Sequence, residues 1–304
     1  MLMTAEENAY AKINLGLDVL RRREDGYHEL CMVMQTVGLC DRVFLERTED
    51  QGIRLSADRE GVPEDERNLA WRAAARLFDA YRLPGGLRIR LEKHIPAAAG
   101  LAGGSADAAA VLRAMDRMYG IGMTEQEICA HALTLGADVP FCVLGGTMLA
   151  EGIGEKLTRL PDLPDCSVVI IKPDFDCYTK DIYGGLGISG VPAEAHPDMG
   201  SVVRALREGD LAGAAPFMKN ILERPALKLH PEIAGIREDL AAAGAAVSLM
   251  SGSGSAVFGL FMNAAQAEGC LKLLREKYAG AAEMILLTSP AGTLFPSGTT
   301  ESEE

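Results

Sequence analysis

Residues 9–20, AYAKINLGLDVL, alternate at every position. Ala9, Ala11, Ile13, Leu15, Leu17 and Val19 share one side, while Tyr10, Lys12, Asn14, Gly16 and Asp18 share the other. A period of two predicts a strand with one buried face, so Lys12 and Asn14 project together from the non-core side. REDGYHEL (23–30) reads as a turn around Asp25-Gly26, and residues 30–39 and 42–47 as further strands. The period changes in 67–83, where Ala70, Ala73, Ala74, Leu77, Phe78 and Tyr81 follow helical spacing behind Asn68, a suitable N-cap. Pro84-Gly85-Gly86 ends that helix. LRIRLEK (87–93) alternates again, with Leu87, Ile89 and Leu91 inward, and leads into IPAAAGLAGGSADAAA (95–110). Ala108, Val111, Leu112 and Met115 supply the buried stripe of the helix that follows, giving the order strand, glycine loop, helix.

TEQEICAHALTLGADVPF (124–141) opens with a capping box, Thr124 to Glu127, and its stripe stops at Gly136, a good residue to end a helix. Asp138 stands just beyond, and Gly145-Gly146 turn into a strand at 147–151. Pro161 and Pro164 mark a boundary near residue 163. Beyond it come a strand (167–172), helices between about 198 and 243, a strand (245–250), the loop SGSGS, a strand (256–262), a helix (264–278) and a strand (283–288). This βα(α)ββαβ order predicts a ferredoxin-like sandwich. The expected organisation is therefore an N-terminal domain at 1–163, a C-terminal domain at 164–292, and a polar, acidic, disordered tail at 293–304.

With 304 residues, 48% hydrophobic and 24% charged, the chain has the composition of a soluble globular protein. Thirty Lys and Arg against 43 Asp and Glu give a net charge of −13, which argues against nucleic-acid or anionic-membrane partners but not against an anionic small substrate. No apolar run reaches bilayer length, and MLMTAEENAYAKINL lacks the basic-then-apolar order of a signal peptide, so a cytoplasmic protein is expected. The seven cysteines are odd in number and show no CxxC spacing, which favours reduced thiols over disulfides or a zinc site.

Candidate chemistry begins with the glycine loop. Gly103 and Gly104 permit φ > 0 and a close backbone approach, and a helix N-terminus binds anions. Ser105 suits either a helix cap or a donor to phosphate. The alternative is a plain strand-to-helix turn. A Walker-type loop would carry Lys straight after its last glycine, whereas here the first cation downstream is Arg113, well inside the helix. Asp107 complements the helix dipole, or faces a triphosphate across a bound Mg2+. A second loop, Ser251, Gly252, Ser253 and Gly254, has more small residues than a hairpin turn needs, which fits an anion-binding nest. Taken alone, Lys12 is a solvated strand lysine and Asp138 a cap or turn residue. His94, His131, His196 and His230 share no metal-ligand spacing and read as structural.

AYAKINLGLDVL, IPAAAGLAGGSADAAA and LMSGSGSAVFGLF stand in an order that resembles the GHMP kinase superfamily, whose phosphate loop has the form Pro-x-x-x-Gly-Leu-x-x-x-Ser. AKINLGLDVLRRREDGYHEL, GADVPFC and GGTMLAEGIGEKL resemble its cytidyl-methylerythritol kinase branch. The resemblance implies a two-domain α+β GHMP kinase fold, with an N-terminal lobe like ribosomal protein S5 domain 2 and a C-terminal ferredoxin-like lobe. It implies ATP-dependent phosphorylation of a hydroxyl on the methylerythritol unit of a cytidyl-diphosphate substrate, with Mg2+, in a monomer or homodimer. Lys12 then matches a catalytic lysine and Asp138 a catalytic aspartate, which places the missing cation on another strand. Pro96, Ala97, Ala98, Ala99, Gly100, Leu101, Ala102, Gly103, Gly104, Ser105 and Ala106 match the ATP loop. Tyr27 and His28 match cytosine-holding residues, although His28 by itself reads equally as an exposed imidazole. Tyr183 stands where the family often has an aromatic on the other face of the base, and Asn14 and Thr179 are further substrate-side candidates. Ala106 stands where the family carries a second Ser, and Ser255 where it often has Pro or Ala. A homoserine- or mevalonate-type kinase has no use for DGYHEL, and a non-catalytic GHMP-fold binding protein has no need of both Lys12 and Asp138.

Overall fold

The computed structural model describes residues 3–295. The chain opens with one long hairpin, β1 (Thr4–Arg22) and β2 (His28–Thr48), turning at the predicted Asp25-Gly26. Residues 28–48 form one strand rather than two, with register shifts along its pairing to β1. Next come β3 (Gly52–Ala57), which the alternation did not mark, α1 (Leu69–Tyr81) and β4 (Gly86–Glu92). Asn68 caps α1 through its side chain, which accepts from the Ala70 amide. The helix after the glycine loop is α2 (Gly103–Tyr119), followed by α3 (Glu125–Leu133) behind the predicted Thr124–Glu127 capping box. α3 stops three residues before Gly136, whose amide still closes on the Ala132 carbonyl, and a short helix, α4 (Val139–Leu144), starts behind Asp138. β5 (Thr147–Gly152) and β6 (Lys156–Arg159) complete a six-stranded sheet of order β3-β4-β2-β5-β6, with β1 paired to β2.

The second half runs β7 (Ser167–Pro173), α5 (Thr179–Gly184), α6 (Met199–Arg207), α7 (Leu211–Ala214), α8 (Glu223–Leu229), α9 (Glu232–Ala242), β8 (Val247–Met250), β9 (Val257–Phe261), α10 (Ala264–Lys277) and β10 (Ala282–Thr288). Its four strands pair antiparallel in the order β10-β7-β9-β8, which in order of appearance is 4-1-3-2, the ferredoxin-like arrangement.

The face of β1 expected inside is inside: Ala9 to Val19, at every second residue, are 0–2% exposed. The other face departs from expectation. Lys12 and Asn14 are 4% and 0% exposed, because α4, the glycine loop and the second lobe cover what period two alone assigned to solvent. The lobes meet where Leu17 of β1 exchanges backbone hydrogen bonds with Lys219 and Ile221. Past β10 the chain returns to the first sheet, with the Gly38 amide donating to Ser289 and Ala291 donating to Thr36. Residues 293–295, assigned to the disordered tail, are instead ordered: Thr293 bridges Gly145 and the Leu294 amide donates to Leu144. The rest of that tail lies outside the described residues. Among the described residues no helix is long and apolar enough to cross a membrane, and all seven cysteines are free.

Candidate active site

Two cavities meet between the lobes. The first, about 550 Å3, is walled by the glycine loop from Pro96 to Ser105, by Lys12 and Asn14, and by Gly252 and Ser253 of the second loop. The second, about 410 Å3, is walled by Tyr27, His28, Ala137, Ile153 and Lys180. Leu30, Ser105, Asp138, Thr179 and Tyr183 line both, so the cavities share one wall.

The glycine loop owes its shape to residues other than the pair expected to bend it. Positive φ falls at Ala98 (46°), Gly100 (71°) and Ala102 (61°), whereas Gly103 and Gly104 already belong to α2. Gly103 is small for packing reasons, since a Cβ there would come within 3.1 Å of the Ile95 side chain, whereas one on Gly104 would meet only Leu69 at 3.9 Å. No side chain caps α2, Ser105 included, so the first-turn amides of 103–105 lack intrahelical acceptors and open on the cavity. Ala106, matched to the ATP loop, is off the wall: the helical turn rotates it into the core, at 1% exposure. Ser251 and Gly254 are also off the wall, but the Ser251 hydroxyl donates to the Gly100 carbonyl at 3.0 Å. The two loops abut so closely that a Cβ on Gly100 would lie 2.0 Å from the Ser251 oxygen.

The Lys12 ammonium sits at this junction. It donates to Asn14 Oδ1 at 2.7 Å and to the Gly100 carbonyl at 2.8 Å. Burial pulls its pKa below the ordinary lysine value, against the attraction of Asp138 and then of Cys142. Asp138 stands at the N-terminus of α4 but makes no side-chain cap bond, so its carboxylate is not engaged as the cap that a sequence reading assigns. Among the described residues the two groups form no direct ion pair. They interact across the space that both line.

In the second cavity Tyr27 is 60% exposed at the rim, and His28 lies against Tyr183 with ring centroids 5.0 Å apart. Burial, then Arg22, lowers the His28 pKa, leaving a neutral ring at pH 7 that can both donate and accept. Burial, then Asp138, raises the Tyr183 pKa, so its hydroxyl keeps its proton. The Thr179 hydroxyl pairs with Ser253 at 3.0 Å, tying the substrate side to the second loop.

Three groups escaped the sequence reading: Lys93, Asp41 and Met32. Lys93, at the end of β4, bonds Asp41 and Asp107 beneath the glycine loop and is 7% exposed at its side chain. Its position was legible, because 87, 89, 91 and 93 share the inward parity. Asp107 thus accepts from Lys93 instead of serving as a free dipole complement, with its Oδ1 buried and unpartnered. Met32, whose sulfur accepts from Asn14 Nδ2 at 3.6 Å, is the third and carries no polar signature. The remaining histidines lie off both cavity walls: His196 pairs with Asp18 at 2.7 Å, His230 stacks on Phe175, His131 contacts Tyr81, and the His94 backbone amide donates to Asp41. No described cluster of three or more His, Cys, Asp or Glu could hold a metal.

Residues 68–146 match the model for the GHMP kinases N terminal domain, and residues 202–280 the GHMP kinases C terminal model. A 4-diphosphocytidyl-2-C-methyl-D-erythritol kinase of Lachnospira eligens is 44% identical over 280 residues, covering 92% of this chain and 96% of that one. One of the same name from Clostridium beijerinckii is 44% identical over 270 residues, covering 89% and 95%. A crystal structure of 4-(cytidine 5'-diphospho)-2C-methyl-D-erythritol kinase superposes with a TM-score of 0.80 at 38% identity, covering 95% of this chain and all of that one. Homoserine kinase from Cytophaga hutchinsonii reaches the same TM-score at 21% identity, over 96% of each chain, which marks the shared fold alone. What separates these two likenesses is the degree of identity, 38% against 21%, and with a relative 44% identical over 92% of its length the chain belongs to the 4-diphosphocytidyl-2-C-methyl-D-erythritol kinase family of GHMP kinases.

Proposed function

We propose that the enzyme transfers the γ-phosphoryl group of ATP to the 2-hydroxyl of 4-diphosphocytidyl-2-C-methyl-D-erythritol. The observation that carries this reading is the shared wall: one cavity holds the glycine loops and Lys12, the other Tyr27 and His28, and Asp138 lies between them.

ATP would lie in the first cavity, its phosphates against the free amides of 103–105. The cytosine would lie in the second, with the Tyr27 and Tyr183 rings on its faces and the neutral His28 imidazole on its edge. The diphosphate then leads the methylerythritol unit towards Asn14 and Thr179. Asp138 accepts the proton of the attacking hydroxyl as its oxygen bonds to the γ-phosphorus. The bond to the bridging oxygen breaks, and ADP leaves. Lys12 neutralises charge on the transferring group and keeps Asp138 ionised. The reaction asks little else of the protein beyond alignment.

Mg2+ fits this site as a companion of ATP, because it usually keeps most of its ligands from phosphate and water. Ser105 and Asp107 line the cavity and would hold it. When bound, it would neutralise charge on the phosphate oxygens.

The test is ADP release with cytidyl-methylerythritol, homoserine, mevalonate and galactose offered in parallel. Turnover with the cytidyl substrate alone is expected. Turnover with another acceptor and none with the cytidyl compound overturns the reading.

A further inference from the structure

Asn220 is 4% exposed and stands where the two lobes cross. Its backbone lies alongside Leu17 of β1, five residues beyond Lys12, and the flanking residues make the join: the Leu17 amide donates to Lys219 at 2.9 Å and the Ile221 amide donates to Leu17 at 3.0 Å. Its side chain faces the other way. Nδ2 donates to the carbonyl of Met250 at 2.8 Å and to that of Gly252 at 2.7 Å, while Oδ1 accepts from the Leu222 amide at 3.0 Å. All three bonds have one chemically allowed orientation, because only an amide both donates twice and accepts at this spot.

Gly252 is where this matters. It adopts φ of 55°, and a Cβ built there would lie 3.2 Å from Lys12 Nζ and 3.1 Å from the Gly100 carbonyl. The second glycine loop therefore leans directly on the lysine and on the carbonyl that the lysine holds. Backbone bonds hold the far end of this loop, the Gly254 amide donating to Ser251 and the Ser255 and Ala256 amides to Ala98 and Ala99, but none of them reaches Gly252. Glu223 grips its base by accepting the Met250 amide, but among the described side chains Asn220 alone donates to a backbone carbonyl of Gly252.

We propose that Asn220 is a positioning residue, which fixes the second glycine loop to the strand bearing Lys12 and so sets where the lysine ammonium stands relative to the phosphate loop. This rests on the phosphoryl-transfer role given to Lys12 above. Asn220 touches neither cavity wall, so its effect runs through Gly252. Losing it lets the loop draw back, which displaces and rehydrates the ammonium. The groups facing that ammonium are the Asn14 amide, the backbone of Gly100 and Gly252, and the Asp138 carboxylate and Cys142 thiol at α4.

Asn220→Asp tests this, because it keeps the shape and the acceptor while setting a carboxylate against two carbonyls. The expected result is a folded protein whose kcat falls about 100-fold, the cost of roughly 1 Å of misplacement. Both KM values stay within about threefold, the pattern of a defect confined to the transition state. The alkaline limb of kcat/KM moves to higher pH, since a rehydrated lysine titrates later. A loss confined to thermal stability, with kcat and the alkaline limb unchanged in the folded fraction, overturns the proposal. Should the aspartate variant not fold, Asn220→Ser, which keeps one donor, is read against the same three measurements. Wild-type enzyme assayed alongside separates the two ideas, because its failure to turn over the cytidyl substrate counts against the proposed function and not against Asn220.

Discussion

The Lys12 ammonium and the Gly100 carbonyl oxygen are 2.8 Å apart, although 88 residues separate them in the chain. Gly100 in turn accepts from the Ser251 hydroxyl, another 151 residues on. One carbonyl thus gathers the first strand, the phosphate loop and the second glycine loop. The positive charge that the phosphate loop lacks in sequence is delivered to it in space, and both glycine loops help to hold it there.

Gly100 is the position least able to take a side chain. Its φ is +71°, and a methyl group would stand 2.0 Å from the backbone oxygen of Ser251. Gly100→Ala should therefore cost more than the ~1–2 kcal/mol of a left-handed conformation alone. It should also part the two loops, so that ATP affinity falls with stability. Chemical denaturation and nucleotide titration measure the two losses. A variant with native stability and native ATP binding would mean that the loops are not in contact.

Removing the ammonium should separate binding from chemistry. Lys12→Ala leaves the amides of 103–105 in place, so ATP still binds, while turnover drops by about 10³-fold, the scale of losing one preorganised charge at a transferring group. Nucleotide titration and single-turnover ADP release distinguish the two effects. A parallel collapse of binding and turnover would make Lys12 a structural support.

Asp138→Asn should lower turnover by about 10²–10⁴-fold, the usual contribution of a positioned proton acceptor. A second signature follows from electrostatics. Burial already holds the Lys12 pKa below its ordinary value, and Asp138 is the strongest force in the other direction. Without that carboxylate the lysine loses its proton at lower pH, so the alkaline limb of the residual kcat/KM moves down. The pH profile of the variant tests this, and an unmoved limb would show that the two groups do not sense each other.

The legibility of this site divides along physical lines. Alternation from Ala9 to Val19 identified a core face because burial of one strand face is a local property of the chain. It missed the burial of Lys12 and Asn14, since the elements that cover them come from residues near 100, 138 and 252. Lys93 could have been read from the parity of 87, 89 and 91. Asn220 could not, because nothing near MKNILE marks an asparagine whose partners lie 30 and 32 residues away. The ordered 293–295 segment was obscured by the acidic stretch behind it, which outweighed the apolar Leu294-Phe295 pair that docks on the first lobe.

Tyr27→Ala should weaken the cytidyl substrate by about 1–3 kcal/mol, the value of stacking one base on an aromatic ring. ATP affinity should be unchanged, because Tyr27 lines only the second of the two cavities described here. Its ring makes no described aromatic contact, so removing it leaves the fold intact. Isothermal titration with each ligand checks the asymmetry, and equal losses for both would remove the stacking role.

Asp107 makes the stability of the fold depend on pH. Burial raises its pKa from 3.8 to about 7; Lys93 opposes that rise and Asp41 adds to it. The folded protein therefore keeps a proton that the unfolded chain has already released between about pH 4 and pH 7. Stability from this group is present in full below the unfolded value and is lost as pH rises through 7. Asp107→Asn removes the titration and leaves Lys93 paired with Asp41. The variant should gain on the wild type as pH increases, so that the difference between their melting temperatures is more favourable to the variant at pH 8 than at pH 5. A difference that is constant across that range would mean that Asp107 is ionised throughout, and that its buried Oδ1 is paired rather than left without a partner.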